Sequence, residues 1–273
     1  MTTTAARTAS AAEVAAPPRI KAGTLQRWLM PLGFLVLVLV AWQVLPNALD
    51  IPSYVLPELS AVLNALLDPA ALPRYIYNAG YTLLEAGLGL LIGASAGIIL
   101  GMLLAEVKAL YLTLYPYIVA IQSIPKVALA PLFVIWFGFG IESKIVVVVL
   151  LTFFPVLVNT INGIKSVAPE QIDLFRVNGA SAWQTRRKLL LPGALPYIFT
   201  GLEIAVVMAM LGAIVAEFVG AQNGLGVLVL QAQAQMQTAA VFALLIILSV
   251  IGITLNLTVR LIRARVVFWV PKK

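Results

Sequence analysis

Four ionisable side chains interrupt long apolar stretches of the sequence: Glu85, Lys126, Glu203 and Glu217. Charged groups inside a bilayer are costly, so they pair with one another or mark solute and ion pathways. Lys126 follows Pro125 in a proline-rich run, where a broken helix would expose a water-filled cavity and the ammonium would attract an anion. An ion pair between Lys126 and Glu217, within one copy or between two, is the alternative.

Glu217 stands at the end of another apolar run, just before the turn sequence Gln-Asn-Gly-Leu-Gly. We interpret it as part of an outer gate or of a contact between subunits, with a carboxylate at the membrane interface as the alternative. Lys126 and Glu217 are therefore the candidate residues of a translocation path. Glu85 and Glu203 lie nearer the ends of their runs and could reach the interface or a partner.

The sequence offers few residues for catalysis, metal binding or nucleotide binding. The chain has no cysteine and no histidine, which removes disulfides, thiolate or imidazole metal sites and histidine acid–base catalysis. No lysine follows a glycine, so the chain lacks a Gly-Lys phosphate-binding loop. Without a visible nucleophile–base pair or metal cluster, we predict no catalytic and no metal-binding residues. Energy from ATP would have to come from a partner protein.

Composition places these residues in a membrane. Of the 273 residues, 62% are hydrophobic and 11% are charged, and the mean hydropathy is +1.01. This hydrophobic fraction is well above the roughly 45–50% of a soluble domain. The chain is therefore predicted to be an all-α membrane protein. Six stretches are long enough to cross the hydrocarbon layer. They lie near 28–46, 82–104, 110–138, 145–164, 196–219 and 239–262.

Prolines in the third of these spans and small residues in the second predict local features of each. The third run contains Pro116, Pro125 and Pro131, so part of it should be kinked, unwound or interfacial. The second span carries small residues that predict close helix packing rather than a ligand site. These are Gly87, Gly89, Gly93, Ala94, Ser95, Gly97 and Gly101.

Charge distribution orients the chain. With a cytoplasmic N-terminus, 15 of the 18 Lys and Arg residues fall in inner segments, and the outer segments keep only Arg74 and Lys144. The positive-inside rule then predicts both termini in the cytoplasm, and the net charge of +7 needs no nucleic acid to explain it. Residues 1–27 indicate a disordered cytoplasmic tail, with a targeting peptide as the alternative. Residues 28–273 form one membrane domain.

Two loops should carry helices of their own. In the outer loop, apolar residues at helical spacing between Pro57 and Pro69 predict a short amphipathic helix. In the inner loop, about 165–195, Pro169 followed by acidic residues predicts a helix start, and Val177 should be its last residue. Asn178-Gly179 then supplies a left-handed end.

A second helix should follow in the same loop. Ser181 and Gln184 fit a capping box, and Pro192 and Pro196 are expected to break the chain before the fifth span. A basic loop can serve only to anchor the topology. Two helices joined by a glycine are more order than an anchor needs, and this favours a docking surface.

The loop resembles a known motif. In permease subunits of bacterial ABC importers, Glu-Ala-Ala is followed by three residues, Gly, nine residues, Ile, one residue and Leu-Pro. Here Asp173-Leu174-Phe175 stands at the first triplet, Gly179 matches, and Leu189, Leu191 and Pro192 close the motif. Three further blocks resemble permeases of the nitrate, sulfonate and taurine uptake group, which includes thiamine-precursor and riboflavin permeases. They are IPKVALAPLFVIWFGFG at 124–140, LPGALPYIFTGL at 191–202 and AEFVGAQNGLG at 216–226.

The resemblance implies a type I ABC importer permease with a cytoplasmic two-helix coupling loop, in the bacterial inner membrane. Its partners would be a second permease copy, two copies of an ATPase subunit that uses ATP-Mg, and an extracytoplasmic solute-binding protein. The chain itself would bind no cofactor. The docking residues would be Asp173, Leu174, Phe175, Arg176, Gly179, Trp183, Arg186, Arg187, Leu191 and Pro192, with apolar knobs inside a basic rim.

The solute would be small and polar or anionic, such as a sulfonate, taurine, nitrate, a thiamine precursor or riboflavin. A secondary transporter driven by an ion gradient is the alternative function. It would use Glu85 and Glu203 to carry ions, but it would leave the two-helix loop without a purpose.

Overall fold

The computed structural model describes residues 24–269, and it is helical throughout its regular elements. The helices are α1 (Thr24–Ala48), α2 (Leu59–Leu66), α3 (Leu72–Glu106), α4 (Lys108–Gln122), α5 (Ala130–Phe137), α6 (Ile141–Lys165), α7 (Pro169–Val177), α8 (Ala182–Thr185), α9 (Leu191–Gly220), α10 (Leu225–Ala234) and α11 (Thr238–Val266). A 3₁₀ turn, Lys126–Leu129, precedes α5, and a π-helical turn, Arg186–Leu190, joins α8 to α9.

The structure agrees with the prediction of six crossings to within one. Five helices are long and apolar enough to span a bilayer, and the pair Lys108–Gln122 and Lys126–Phe137, bent by 81°, makes six when it is counted as one broken span. The bend falls at Pro125, as the prolines of the third run predict. Residues 1–23 of the predicted tail lie outside the described residues, and the first helix begins at Thr24.

Three helices, α3, α6 and α9, form the centre of the bundle and pack on one another along their length. Four glycines spaced four residues apart on α3, Gly89, Gly93, Gly97 and Gly101, lie directly against α6. A Cβ atom on Gly93 would lie 2.1 Å from the Thr152 hydroxyl oxygen. The predicted close packing is therefore confirmed for these four glycines, whereas Gly87 has open space around it.

The outer helices cover this centre incompletely. Apolar side chains of α1 are exposed along most of its length, as expected of a helix facing lipid. Its C-terminal part is fixed by Trp42, whose indole N–H donates to the carbonyl of Pro57 at 3.0 Å. The predicted outer-loop helix is present as α2, which buries Val62 and packs against α11.

The segment between α6 and α9 follows its local signals. Helix α7 spans Pro169–Val177 as predicted, and Gly179 has a φ of +71°, which favours glycine. Both bonds of the capping box form: the Gln184 N–H donates to the Ser181 hydroxyl at 3.3 Å, and the Ser181 N–H donates to the Gln184 side chain at 2.8 Å.

The expected break at Pro192 and Pro196 is wrong. Residues Ala182–Gly220 form one continuous helix of 39 residues. Just before Pro192 the helix widens into the π turn, where the Leu191 N–H donates to the carbonyl of Arg186, five residues back. The wider turn relieves the clash between a proline ring and the preceding carbonyl, so the helix continues. We call the end of the bundle that carries α7 the loop end, and the other the opposite end.

Candidate functional site

At the loop end, α7 and α8 present apolar side chains outside the spanning helices. Leu174 is 61% exposed, Val177 86% and Trp183 63%. Leu174 lines a groove of about 390 Å³ beside Gly179, and Trp183 lines a separate groove of about 170 Å³ with Glu106 and Arg186. Exposed apolar groups rimmed by polar ones are typical of a surface that binds a protein partner. Sequence reasoning missed Val177, although an apolar residue on a largely polar helix was a visible signal.

The predicted docking residues do not all belong to this surface. Asp173, Arg176 and Arg187 are exposed, and Arg176 pairs with Asp173 at 3.1 Å on the surface of α7. Phe175 is half-buried. Leu191 packs beside the buried cluster of Ile164, Ala194 and Ile198, and Pro192 is half-buried in the first turn of α9. We therefore place Leu191 and Pro192 in the base of the loop, where they hold it against α6, rather than on its docking face.

Arg186 has an intramolecular partner that sequence reasoning did not identify. Its guanidinium donates through Nε to Oε1 of Glu106 at 2.7 Å and through Nη2 to Oε2 of the same carboxylate. Glu106 is the last residue of α3. This bidentate geometry fixes direction as well as distance. The pair therefore ties the loop to the end of a central spanning helix.

Lys126 lies at the break of the third crossing, as its sequence context predicts. Its Nζ donates to the carbonyl of Gln122 at 2.8 Å and lies 4.7 Å from the centre of the Phe154 ring. The side chain is half-buried. The alternative of an ion pair with Glu217 does not form in this chain, because Glu217 is buried elsewhere with other partners.

Those partners are at the opposite end of the bundle. Glu217 is 1% exposed, and it accepts hydrogen bonds from the Thr82 hydroxyl at 2.6 Å and the Gly226 N–H at 2.5 Å. It therefore lies inside its own chain. The Glu217 side chain is therefore not exposed for a contact with another subunit, and its interpretation as part of an outer gate stays a prediction. Thr82, on α3, was not singled out from the sequence.

The same polar groups hold the start of α10. The Gly224 N–H donates to Asn78 Oδ1 at 2.7 Å, and the Leu225 N–H donates to Thr82 Oγ1 at 2.9 Å. These N–H groups belong to the first turn of a helix, where they have no intrahelical partner. The Glu217 carboxylate also lies near the positive end of the α10 dipole. A side chain at Gly224 is excluded by its φ of +121° and by contact with Glu217.

Lys144 completes this group, although its sequence position suggested an outer loop. It lies in the first turn of α6, is 1% exposed, and donates to the carbonyls of Phe139 and Gly220, each at 2.8 Å. The Gly220 carbonyl belongs to the C-terminal turn of α9, where cations are favoured. We call Asn78, Thr82, Glu85, Lys144 and Glu217 the buried polar cluster.

Glu203, the remaining acid of the apolar runs, holds two helices together at the loop end. Its carboxylate lies 2.8 Å from Arg263 and 3.6 Å from Arg260, both on α11. Neither a partner protein nor a transported ion is needed to explain this acid. Its basic partners lie in the last turns of α11, which sequence reasoning treated only as a topological signal.

The chain is similar to known proteins in both sequence and structure. Residues 93–268 match the family model described as "Binding-protein-dependent transport system inner membrane component". The chain is 38% identical over 225 residues to the formylaminopyrimidine transport permease protein ThiX of Halalkalibacterium halodurans, covering 82% of this chain and 89% of that protein. It is 32% identical over 249 residues to the taurine transport system permease protein TauC of Escherichia coli, covering 88% and 89%.

The fold has a counterpart among solved structures. A chain of the inward-facing MetNI methionine ABC transporter superposes with a TM-score of 0.58 at 21% identity, covering 71% of this chain and 98% of that one. This likeness supports the helical architecture described above.

Proposed function

Because the chain belongs to the binding-protein-dependent ABC transport permeases, we propose that it forms the path through which such an importer carries a small polar or anionic solute. As a permease subunit it is not an enzyme. Relatives include proteins named for formylaminopyrimidine, aliphatic sulfonates, taurine, riboflavin and nitrate. The half-buried ammonium of Lys126, at the break of a spanning helix, supports a polar or anionic solute.

The observation that carries this function is mechanical. Trp183 of α8 is exposed on a helix that continues without a break from Ala182 to Gly220, and α7 precedes this helix across the turn at Gly179. A partner that pushes on Trp183 would move the spanning part of this helix directly, because no flexible hinge intervenes. The bond between Arg186 and Glu106 passes the same movement to α3. This arrangement suits a lever driven by an external ATPase.

The proposed transporter complex is built around this helix, which transmits the movement of the ATPase. Two permease copies enclose the path, two ATPase subunits bind the α7 surfaces and use ATP-Mg, and an extracytoplasmic binding protein delivers the solute at the opposite end. Both termini then lie in the cytoplasm of a cell whose inner membrane holds the complex. ATP closes the ATPase dimer, and the cavity between the copies changes its opening from one side to the other. Family membership and the pairing of Glu203 with Arg263 argue against the ion-gradient alternative.

The docking surface is tested by charge substitutions. Leu174→Asp or Trp183→Asp should reduce co-purification of the ATPase subunit at least tenfold, since each change places a carboxylate in the apolar centre of the contact. Leu67→Asp is the matched control, because Leu67 is 71% exposed but lies at the opposite end of the bundle. Equal losses in all three variants, or none in the first two, would show that the ATPase binds elsewhere.

The path is tested at Lys126. Lys126→Met should lower ATP-dependent uptake into proteoliposomes more than tenfold while leaving ATPase co-purification unchanged, because the methionine keeps the side-chain length and removes the charge. Lys126→Arg should retain most uptake. Lys108→Met is the control. It removes the other lysine of the same crossing, at the exposed first residue of α4, and should have little effect on uptake. Normal uptake by Lys126→Met would remove this residue from the path.

A further inference from the structure

The buried polar cluster contains one side-chain oxygen without a hydrogen-bond partner. Glu85 is 2% exposed and lies against Glu217, and its Oε2 atom has no partner among the described residues. Its neighbour Thr82, one turn earlier on α3, bonds both Glu217 and the start of α10. A buried side-chain oxygen without a donor is costly, and native proteins rarely leave one so. A donor from outside the chain would satisfy this oxygen.

Glu85 lines a cavity that could admit such a donor. The cavity measures about 240 Å³ and lies between α3, the first turn of α6 and the segment after α9. Tyr81, Lys144, Gln222 and Asn223 also line it. Gln222 is exposed at the end of α9, so the cavity is next to the surface at the opposite end of the bundle.

The charges around the cavity select the kind of donor. Two buried acidic residues, Glu85 and Glu217, lie near a single buried lysine, Lys144. The exposed Glu142 adds a third acidic residue in the same turn of α6 as Lys144. Both recorded hydrogen bonds of Lys144 go to backbone carbonyls rather than to a carboxylate. An oxyanion placed beside Glu85 would add negative charge to this group, whereas an amino group would supply the missing donor and, where it is an aliphatic ammonium, a complementary charge as well.

We propose that this cavity is an entry site that binds the amino group of a small solute through Glu85. The inference rests on the proposed import function and narrows the solute to one that carries an amino group. Tyr81 and the amides of Gln222 and Asn223 would contact the remainder of the molecule. Glu217 does not contact the solute in this scheme, because its oxygens already accept from Thr82 and Gly226.

Matched probe pairs test the site on the purified full-length chain. The pairs are 2-aminoethanesulfonate with ethanesulfonate, and 4-amino-2-methylpyrimidine with 2-methylpyrimidine. At least one amino member should raise the thermal unfolding midpoint, and its donor-free partner should not. Glu85→Gln should weaken that binding at least tenfold, because the charge is lost at constant shape. Glu203→Gln, which neutralises an acid at the loop end, should bind as the parent does.

A second variant guards against a folding defect in Glu85→Gln. Ile141→Trp fills the cavity while leaving the carboxylate in place, and it too should abolish the shift. The proposal is overturned if no amino probe binds the parent chain, if the donor-free members bind equally well, or if Glu85→Gln binds unchanged. Any of these results with normal ATPase co-purification leaves the permease assignment intact, whereas loss of ATPase association by the parent chain would contradict the permease function itself.

Discussion

Gly93→Leu is expected to destabilise the chain by about 3 kcal/mol, the upper end for inserting carbon atoms into a packed core. A Cβ at this position would lie 2.1 Å from Thr152 Oγ1 and 2.8 Å from the backbone carbonyl of Val149. The threonine cannot easily turn away, because its hydroxyl bonds the carbonyl of Val148 at 2.8 Å. Helices α3 and α6 would have to move apart, and the packing at the centre of the bundle would be lost.

The control lies on the same helix. Gly87→Leu adds the same side chain where no atom lies within 4 Å of the new Cβ, so stability should change little or rise by up to about 1 kcal/mol through helix propensity. Thermal unfolding in detergent, followed by tryptophan fluorescence, measures both variants. Equal midpoints for the two would mean that α3 and α6 do not pack through the glycines.

Arg186→Glu is expected to lower ATP-dependent uptake about tenfold while ATP hydrolysis by the bound partner continues. The change replaces a bidentate ion pair with two carboxylates facing each other, so the loop would no longer move with α3. The pair is partly exposed, and its contribution to stability is therefore modest, about 1 kcal/mol or less. The expected defect is in coupling rather than in folding.

Exchanging the charges of Glu106 and Arg186 tests whether Arg186 couples ATP hydrolysis to uptake through Glu106 or acts in another way. The double variant Glu106→Arg with Arg186→Glu should recover most of the uptake, because the opposite charges meet again with their positions reversed. Arg187→Glu makes the same charge change at the neighbouring exposed residue and should leave the ratio of uptake to ATP hydrolysis near that of the parent. No recovery in the double variant would mean that Arg186 acts on the ATPase and not through Glu106.

Features with local signals could be predicted from the sequence. Apolar length predicted the crossings, the prolines predicted a break in the third run, where the structure bends by 81°, and Asn178-Gly179 with the Ser181 capping box predicted the form of the loop. Each of these depends on residues within a few positions of one another, where propensity and capping act.

Features that depend on distant residues could not be predicted in this way. Arg186 meets Glu106 across 80 positions, and Thr82 meets Glu217 across 135. The charge of Lys144 predicts a loop residue, whereas in the structure it lies in the first turn of α6. Its burial depends on carbonyls that only the folded bundle brings together, one of them 76 positions away. The continuity of the helix past Pro192 likewise depends on the π turn, which single-residue preferences do not reveal.

We infer that an external ATPase drives the permease through the surface formed by α7 and α8. The most direct test is solute accumulation in proteoliposomes that contain the permease, its binding protein and its ATPase, compared with the same preparation without the ATPase subunit. Accumulation should require both the ATPase and ATP, and Trp183→Asp should abolish it. Accumulation driven by an ion gradient in the absence of the ATPase would contradict the account.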